Sequence, residues 1–204
     1  MPTIFSHALV AASAAQWWRR ELPPHFWTWT AVCAMLPDID VIAFSFGIPY
    51  DDMFGHRGFT HSLFFAAVVG AFMALRLPHD SHPLHHSHPL HHSHPLHRSH
   101  LSHRTALFVW FTAVTASHGL LDALTNGGRG IGFFAPFSNH RYFFPWRPIQ
   151  VSPIGVGFFS PRGLRVLASE GGWIWLPSAI IAVSARLFRR RSSPPSPNAS
   201  ASLP

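Results

Sequence analysis

The sequence predicts an all-α integral membrane protein, a helical bundle of about four spans with a short N-terminal helix. Of its 204 residues, 48% are hydrophobic and only 11% are charged, which is unusual for a soluble domain. The 15 basic residues, all arginine, are spread between apolar segments and do not form one stripe. The net charge of +7 therefore favours a lipid bilayer with an anionic surface as partner, and no nucleic acid is expected.

Four apolar segments are predicted to span the bilayer by their length and composition. They cover residues 26–48, 62–77, 105–124 and 172–188. Residues 4–18 are also apolar but short, and they end in two tryptophans and two arginines, as is typical of a membrane interface. Because these arginines follow the apolar run, a signal peptide is disfavoured, and we expect a short amphipathic or re-entrant helix in the mature protein.

Residues 1–188 are predicted to form a single helical membrane domain that one low-complexity loop interrupts. Residues 78–103 repeat the unit Ser-His-Pro-Leu-His-His, and a proline every six residues cannot continue a helix. We interpret this histidine-rich repeat as a disordered loop of neutral origin, with weak metal binding by its imidazoles as the alternative. Residues 189–204, basic and then rich in proline and serine, are predicted to form a disordered tail.

Two carboxylates lie in the middle of the first predicted span. Asp38 and Asp40 closely follow Pro37, and each would cost about 2.5–3.5 kcal/mol near the bilayer centre. Pro37 interrupts the helix, and the backbone groups that it frees are tolerated only against protein or a water-filled cavity. Both carboxylates could instead be solvated in a turn at the interface. Because acids inside a membrane are usually functional, we favour a binding site.

Four histidines and a third carboxylate complete the candidate site. His118 and Asp122 are four residues apart in the third predicted span, so they share one helix face. His61 lies at the start of the second span, His56 reaches the same region from the preceding loop, and His7 lies on the first helix. Each alone is explained as well by a buried hydrogen bond or a solvated loop, but the combination favours metal binding.

Together these side chains predict a site for one or two divalent metal ions. Imidazole and carboxylate ligands suit Zn, with Mn or Fe as alternatives, and a single cysteine excludes a clustered thiolate site. More than four candidate ligands would serve two ions about 3.5–4 Å apart, an arrangement that activates water and clamps a phosphoryl group. The candidate ligands are His7, Asp38, Asp40, His56, His61, His118 and Asp122.

The same motifs resemble the YdjM-like family of predicted membrane-bound metal-dependent hydrolases. The resemblance rests on His7 and on three runs, Leu36-Pro37-Asp38-Ile39-Asp40, His56-Arg57-Gly58-Phe59-Thr60-His61-Ser62 and His118-Gly119-Leu120-Leu121-Asp122. It covers the chain from Met1 to about Ile154, and the histidine-rich repeat departs from it. The resemblance implies a multi-pass protein of the inner membrane that hydrolyses a substrate, distantly similar to zinc-dependent phospholipase C in its His-x-x-x-Asp pattern.

We therefore predict a membrane-bound hydrolase that cleaves a phosphoester or related ester through a metal-activated water, with an anionic or lipid-like substrate. Asp38 is the candidate catalytic base. Arg141 or Arg129, in the loop after the third span, would hold the anionic group. Two alternatives stay open, namely a non-catalytic membrane protein with a structural metal site or a regulator-docking role, and a metal-handling transporter.

Overall fold

The computed structural model describes residues 1–20, 22–77, 96–153 and 155–192, and these ranges confirm the predicted all-α architecture. They form no β-strand. Their six α-helices are Ile4–Ala15 (α1), Phe26–Met35 (α2), Leu63–Arg76 (α3), Leu96–Ala123 (α4), Pro161–Glu170 (α5) and Leu176–Ser192 (α6). A 3-10 segment, Leu36–Phe46, continues α2, a π-helical turn, Gly171–Trp175, joins α5 to α6, and two short 3-10 turns are Phe59–His61 and Gly155–Phe158.

Three helical stretches in these ranges are long and apolar enough to cross a membrane, namely Phe26–Phe46, His103–Ala123 and Pro161–Arg191. They correspond to the first, third and fourth predicted spans. The second predicted span is α3, whose 14 residues reach only about 21 Å, against a hydrocarbon core of about 30 Å. The expectation of about four spans with a short N-terminal helix is roughly matched, with α3 as a shorter apolar helix.

The first span changes its helical form where proline interrupts it. α2 ends at Met35, and Pro37 lies in the first turn of the 3-10 segment. Proline has no N–H to donate and its ring crowds the preceding turn, so the regular α-helical ladder stops here. Gly47, with a φ of 74°, ends the segment. The predicted break is confirmed, and Asp38 and Asp40 are both buried beside it.

The helix that contains His118 starts earlier than predicted. α4 begins at Leu96, so residues 96–103 are helical although they were predicted to belong to the disordered loop. Pro95 is the last proline of the repeat, and the residues that follow it can continue a helix. The rest of that loop, residues 78–95, lies outside the described ranges.

The fourth span is also longer than predicted at both ends. It starts at Pro161 and not at residue 172. The prediction missed α5 because this helix is amphipathic and its arginines interrupt the apolar run. α6 continues past residue 188 to Ser192, into the tail predicted to be disordered. Arginine is a good helix former, and positive charge is favourable at a helix C-terminus. Residues 193–204 of the tail lie outside the described ranges.

α1 is fastened to α5 by one buried carboxylate. Glu170 accepts hydrogen bonds from the backbone N–H of Thr3 at 2.5 Å, from Thr3 Oγ1 at 2.6 Å and from Ser6 Oγ at 2.7 Å. Trp175 Nε1 donates to the same Ser6 oxygen at 2.8 Å. These contacts fix the first turn of α1, and with it the adjacent His7, against the interior of the bundle.

α3 and α4 pack against each other through a glycine. A Cβ atom added at Gly70 would lie 2.1 Å from Thr112 Oγ1 and 2.8 Å from the carbonyl oxygen of Phe108. Only glycine permits this approach of the two helices. Buried side chains of α2, α3 and α4 form the apolar core beside this contact, among them Phe26, Val69, Met73, Leu107 and Phe111.

We expect Gly70→Ala to lower the thermal unfolding temperature of the detergent-solubilised protein, because the added methyl group overpacks the α3–α4 interface by about 1–3 kcal/mol. The matched control is Gly171→Ala, where an added Cβ meets nothing within 4 Å. Circular dichroism during heating measures both variants. Equal unfolding temperatures for the two variants would contradict the close packing at Gly70.

Candidate metal centre

Four buried side chains from three parts of the chain converge on one point. Asp38 comes from the 3-10 segment, His61 from the turn before α3, and His118 and Asp122 from α4. Each offers one ligand atom, and these four atoms all lie within 4.8 Å of one another. Such a group could hold a metal ion. Residues far apart in sequence thus meet at the centre of the bundle.

Local helix geometry brings the α4 pair to this point. His118 and Asp122 are separated by one helical turn, so their side chains project from the same face. Gly119 lies between them, and a Cβ there would be 2.9 Å from the carbonyl oxygen of His61. The missing side chain lets the turn before α3 approach α4 closely enough for His61 to join the pair.

Hydrogen bonds turn one nitrogen of each central histidine toward the shared point. His118 Nδ1 lies 2.7 Å from the carbonyl oxygen of Ala34, so Nε2 faces inward, 3.2 Å from Asp38 Oδ1. His61 Nδ1 lies 3.1 Å from an Asp40 oxygen, and its Nε2 is 3.5 Å from Asp122 Oδ2. Metal-binding histidines are commonly oriented in this way through the nitrogen that does not bind the ion.

The inward-facing atoms have no hydrogen-bond partner among the described residues. This holds for Nε2 of His61, Nε2 of His118, both oxygens of Asp38 and Oδ1 of Asp122, all of which are buried. Buried polar atoms are nearly always satisfied, so five unsatisfied atoms around one point require a physical explanation. A cation bound between them is the simplest explanation.

The donor set fits a divalent metal ion. Two imidazole nitrogens and two carboxylate oxygens suit Zn, Mn or Fe. Burial alone would lower the pKa of His61, but the neighbouring carboxylates of Asp122 and Asp40 raise this pKa to about 9. The carboxylates therefore attract positive charge to the centre of the group, as a cation site requires.

Asp40 and His56, which the sequence also suggested as ligands, lie outside this group of four. Asp40 Oδ1 is 2.6 Å from His56 Nδ1, while Oδ2 accepts from Thr60 Oγ1 at 2.6 Å and from the backbone N–H of Arg57 at 3.0 Å. Its oxygens are occupied by these donors and by His61. Asp40 thus orients the ring of His61 through the nitrogen that faces away from the group of four, and His56 holds Asp40 in place.

His7 lies directly beside the group. Its ring stacks on that of His118, with centroids 3.6 Å apart and planes tilted by 12°, and its Nε2 is 3.6 Å from Asp122 Oδ1. Burial and the neighbouring His118 lower the pKa of His7 to about 4, so its ring is neutral. Neither ring nitrogen has a hydrogen-bond partner among the described residues. His7 is therefore placed as a potential additional ligand.

Arg57 is part of the centre, although sequence reasoning did not single it out. This fully buried side chain places Nε 3.0 Å from Asp122 Oδ2, and it donates to the carbonyl oxygen of Gly127 at 2.9 Å and to Thr125 Oγ1 at 3.3 Å. Its φ of 65° is unusual for arginine. The sequence signal was the position of Arg57 between two candidate ligands, His56 and His61, in one short motif.

Arg141 holds loops together through backbone carbonyl oxygens. Its Nη1 donates to the carbonyl oxygen of His56 at 3.0 Å, and its Nη2 donates to those of Tyr50 and Asp52, both at 2.9 Å. Arg129 pairs with Asp51. These contacts engage Nη1 and Nη2 of Arg141 and Nη1 of Arg129, and the anion-binding role expected for the two arginines stays a prediction.

Two cavities lie next to the centre. The first, of about 300 Å³, has apolar walls apart from Asp38, Thr3 and Ser152. The second, of about 230 Å³, has several polar side chains in its wall, among them His56, Arg57 and Arg162. Asp38 is thus both a member of the buried group of four and part of a cavity wall.

Comparison with known proteins places the chain among bacterial inner membrane proteins. The family model described as YdjM inner membrane protein matches residues 1–192. The inner membrane protein YbcI of Escherichia coli (strain K12) is 36% identical over 183 residues, which cover 89% of this chain and 95% of that protein. No solved structure matches the chain.

We expect His118→Ala to abolish stoichiometric metal binding, because it removes a nitrogen from the centre of the group of four. His140→Ala, at an exposed position, is the matched control and should retain the metal of the unaltered protein. Metal content of the purified proteins is measured by plasma mass spectrometry after gel filtration, which reports whether each variant is folded. Asp40→Asn should weaken metal affinity by about 10–100-fold without abolishing it.

These variants would contradict the proposed centre if folded His118→Ala kept a full complement of metal. A loss in Asp40→Asn as complete as that in His118→Ala would instead place Asp40 among the direct ligands.

Proposed function

We propose that this chain, which belongs to the YdjM family of inner membrane proteins, is a metal-dependent hydrolase of a phosphoester or related ester. The protein is a multi-pass protein of the inner membrane. The single observation that supports hydrolysis is a group of unsatisfied His and Asp atoms with one member, Asp38, in the wall of a cavity. A buried metal group that a substrate can reach is the arrangement that catalytic metal sites share.

In this proposal, His61, His118 and Asp122 hold the ion and Asp38 completes the group from the cavity side. A divalent metal in this position would lower the pKa of water toward neutrality and polarise the ester oxygen. Arg57 holds Asp122 in place through their ion pair at 3.0 Å. Asp40 keeps the ring of His61 in one orientation, so that its Nε2 points to the ion.

Asp38 would act as the general base in addition to binding the ion. Its Oδ1 faces the imidazoles, 3.2 Å from His118 Nε2 and 3.8 Å from His61 Nε2. Its Oδ2 has no hydrogen-bond partner among the described residues, and the side chain lines the cavity. Oδ2 is therefore the atom that we expect to take a proton from the attacking water.

The competing proposal is a metal site that only fastens the helices together. The burial of all four side chains favours it, because structural sites are closed to water and substrate. The cavity at Asp38 favours catalysis. A metal-handling role for the histidine-rich repeat concerns mainly residues 78–95, which lie outside the described ranges.

We expect Asp38→Asn to reduce turnover by about 10²–10⁴-fold, the usual contribution of a general base. Asp52→Asn is the matched control, since this exposed carboxylate lies in a surface turn where it accepts from the backbone N–H of Phe54. The measurement uses metal-loaded protein in detergent with a panel of phosphomonoesters, phosphodiesters and carboxylic esters. Bound metal is quantified in parallel for every variant.

Two outcomes separate the proposals. Turnover that requires metal and falls in Asp38→Asn but not in Asp52→Asn supports the hydrolase. Tightly bound metal without turnover of any substrate in the panel would overturn it in favour of the structural site.

A further inference from the structure

We propose that the apolar cavity beside Asp38 binds a single aliphatic chain, so that the substrate is a membrane-derived amphiphile whose ester group meets the metal centre. This inference rests on the proposed hydrolase and names its class of substrate. The observation that points to this inference is an apolar cavity whose wall contains Asp38, a carboxylate of the metal group. Lipid surrounds the protein and supplies such chains.

The walls of this cavity come from three elements that surround the centre. α1 and the residues before it contribute Pro2, Ile4 and Phe5, the 3-10 segment contributes Val41, and the turn Gly155–Phe158 contributes Phe158. These side chains offer no hydrogen bonds to a polar ligand. Burying methylene groups against them is favourable at about 0.8 kcal/mol per CH₂.

The polar groups in the lining do not alter this preference. Thr3 Oγ1 donates to Glu170 at 2.6 Å and is therefore occupied. Asp38 is the only charged side chain among the lining residues, and it belongs to the metal group. The lining residue Met1 also brings its buried amino terminus, which interacts with the carboxylates of Asp122 and Asp38. A ligand that fills the cavity thus needs an apolar body and a polar group at one end, next to Asp38.

The size of the cavity favours one chain over two. About 300 Å³ is at the lower end of the range of pockets that bind small molecules. Phe5, in the wall of the cavity, is 76% exposed, and Phe159, which follows the lining residue Phe158 in the sequence, is 88% exposed. Apolar surface of this kind beside the cavity suits the entry of an aliphatic chain from lipid.

The second cavity suits the charged end of the same molecule. It shares Met1 and Ser152 with the apolar cavity, and its lining includes Arg57 and Arg162. The nitrogens of Arg57 are taken by Asp122, Gly127 and Thr125, so Arg162 is the cation that an anionic head group would meet. A chain placed in the apolar cavity would then leave the ester near Asp38. The arrangement of apolar and basic walls therefore selects an anionic amphiphile.

The first test is a chain-length series in phosphatidylcholine nanodiscs. Metal-loaded protein is incubated with methyl, butyl and octyl 4-nitrophenyl phosphate. In the expected reaction, water supplies one oxygen, the P–O bond to 4-nitrophenolate breaks and the alkyl phosphate remains. We expect kcat/KM to rise by more than about tenfold from methyl to octyl. Val41→Trp, which fills the cavity, should abolish this rise, whereas Val68→Trp on the exposed surface of α3 should preserve it.

The second test reports binding without turnover. Octylphosphonate with a diazirine at the end of its chain is photolysed with the metal-loaded protein, and labelled peptides are identified by mass spectrometry. We expect label on peptides that contain Phe5, Val41 or Phe158, and loss of that label in Val41→Trp. Methylphosphonate in excess should compete only weakly.

The outcomes distinguish the two proposals. Hydrolysis with equal kcat/KM for all three chains, or label spread over lipid-facing helices with no preference for this cavity, would overturn the chain pocket and leave the hydrolase intact. Label in the cavity with no turnover of any ester would support the chain pocket and overturn the hydrolase.

Discussion

The burial of two carboxylates at the centre of a lipid-embedded helical bundle is the constraint on which the rest of the structure depends. An unpaired carboxylate in such a place is strongly disfavoured, so charge must be supplied to it. Arg57 supplies one positive charge, to Asp122, and the rings of His61 and His118 turn their unpaired nitrogens to the same point. A divalent cation would satisfy the remaining oxygens and nitrogens together, which no single hydrogen bond in the centre does.

The helical framework can be understood as the means of bringing these groups together. Pro37 breaks the first span, and the 3-10 segment that follows carries Asp38 into the interior. Gly119 opens the face of α4 to the turn that contains His61, and Gly70 lets α3 and α4 approach closely. Polar contacts also connect distant elements, since Glu170 of α5 accepts a hydrogen bond from Ser6 at the start of α1. This contact positions α1 so that His7 stacks on His118.

Much of this arrangement could be predicted from the sequence, because acids and histidines inside apolar segments are few and costly. The helical class, the proline break and the shared face of His118 and Asp122 follow from local rules of period and composition. The division between direct ligands and the residues that support them does not follow from these rules. Sequence spacing cannot tell whether a carboxylate such as Asp40 faces a cation or a histidine. Arg57 and Arg141 show the same limit, because the partners of both lie far away in sequence. The start of α4 at Leu96 depends on the last proline of the repeat, and the start of α5 at Pro161 depends on an amphipathic face. A search for apolar runs overlooks both.

The most direct measurement is X-ray absorption spectroscopy of the zinc-loaded protein. We expect a first coordination shell of nitrogen and oxygen at about 2.0–2.2 Å, with multiple scattering from at least two imidazoles and no sulfur. His118→Ala should reduce the imidazole contribution by one ring or prevent zinc binding. A shell without imidazole scattering, or one that contains sulfur, would contradict a centre built from Asp38, His61, His118 and Asp122.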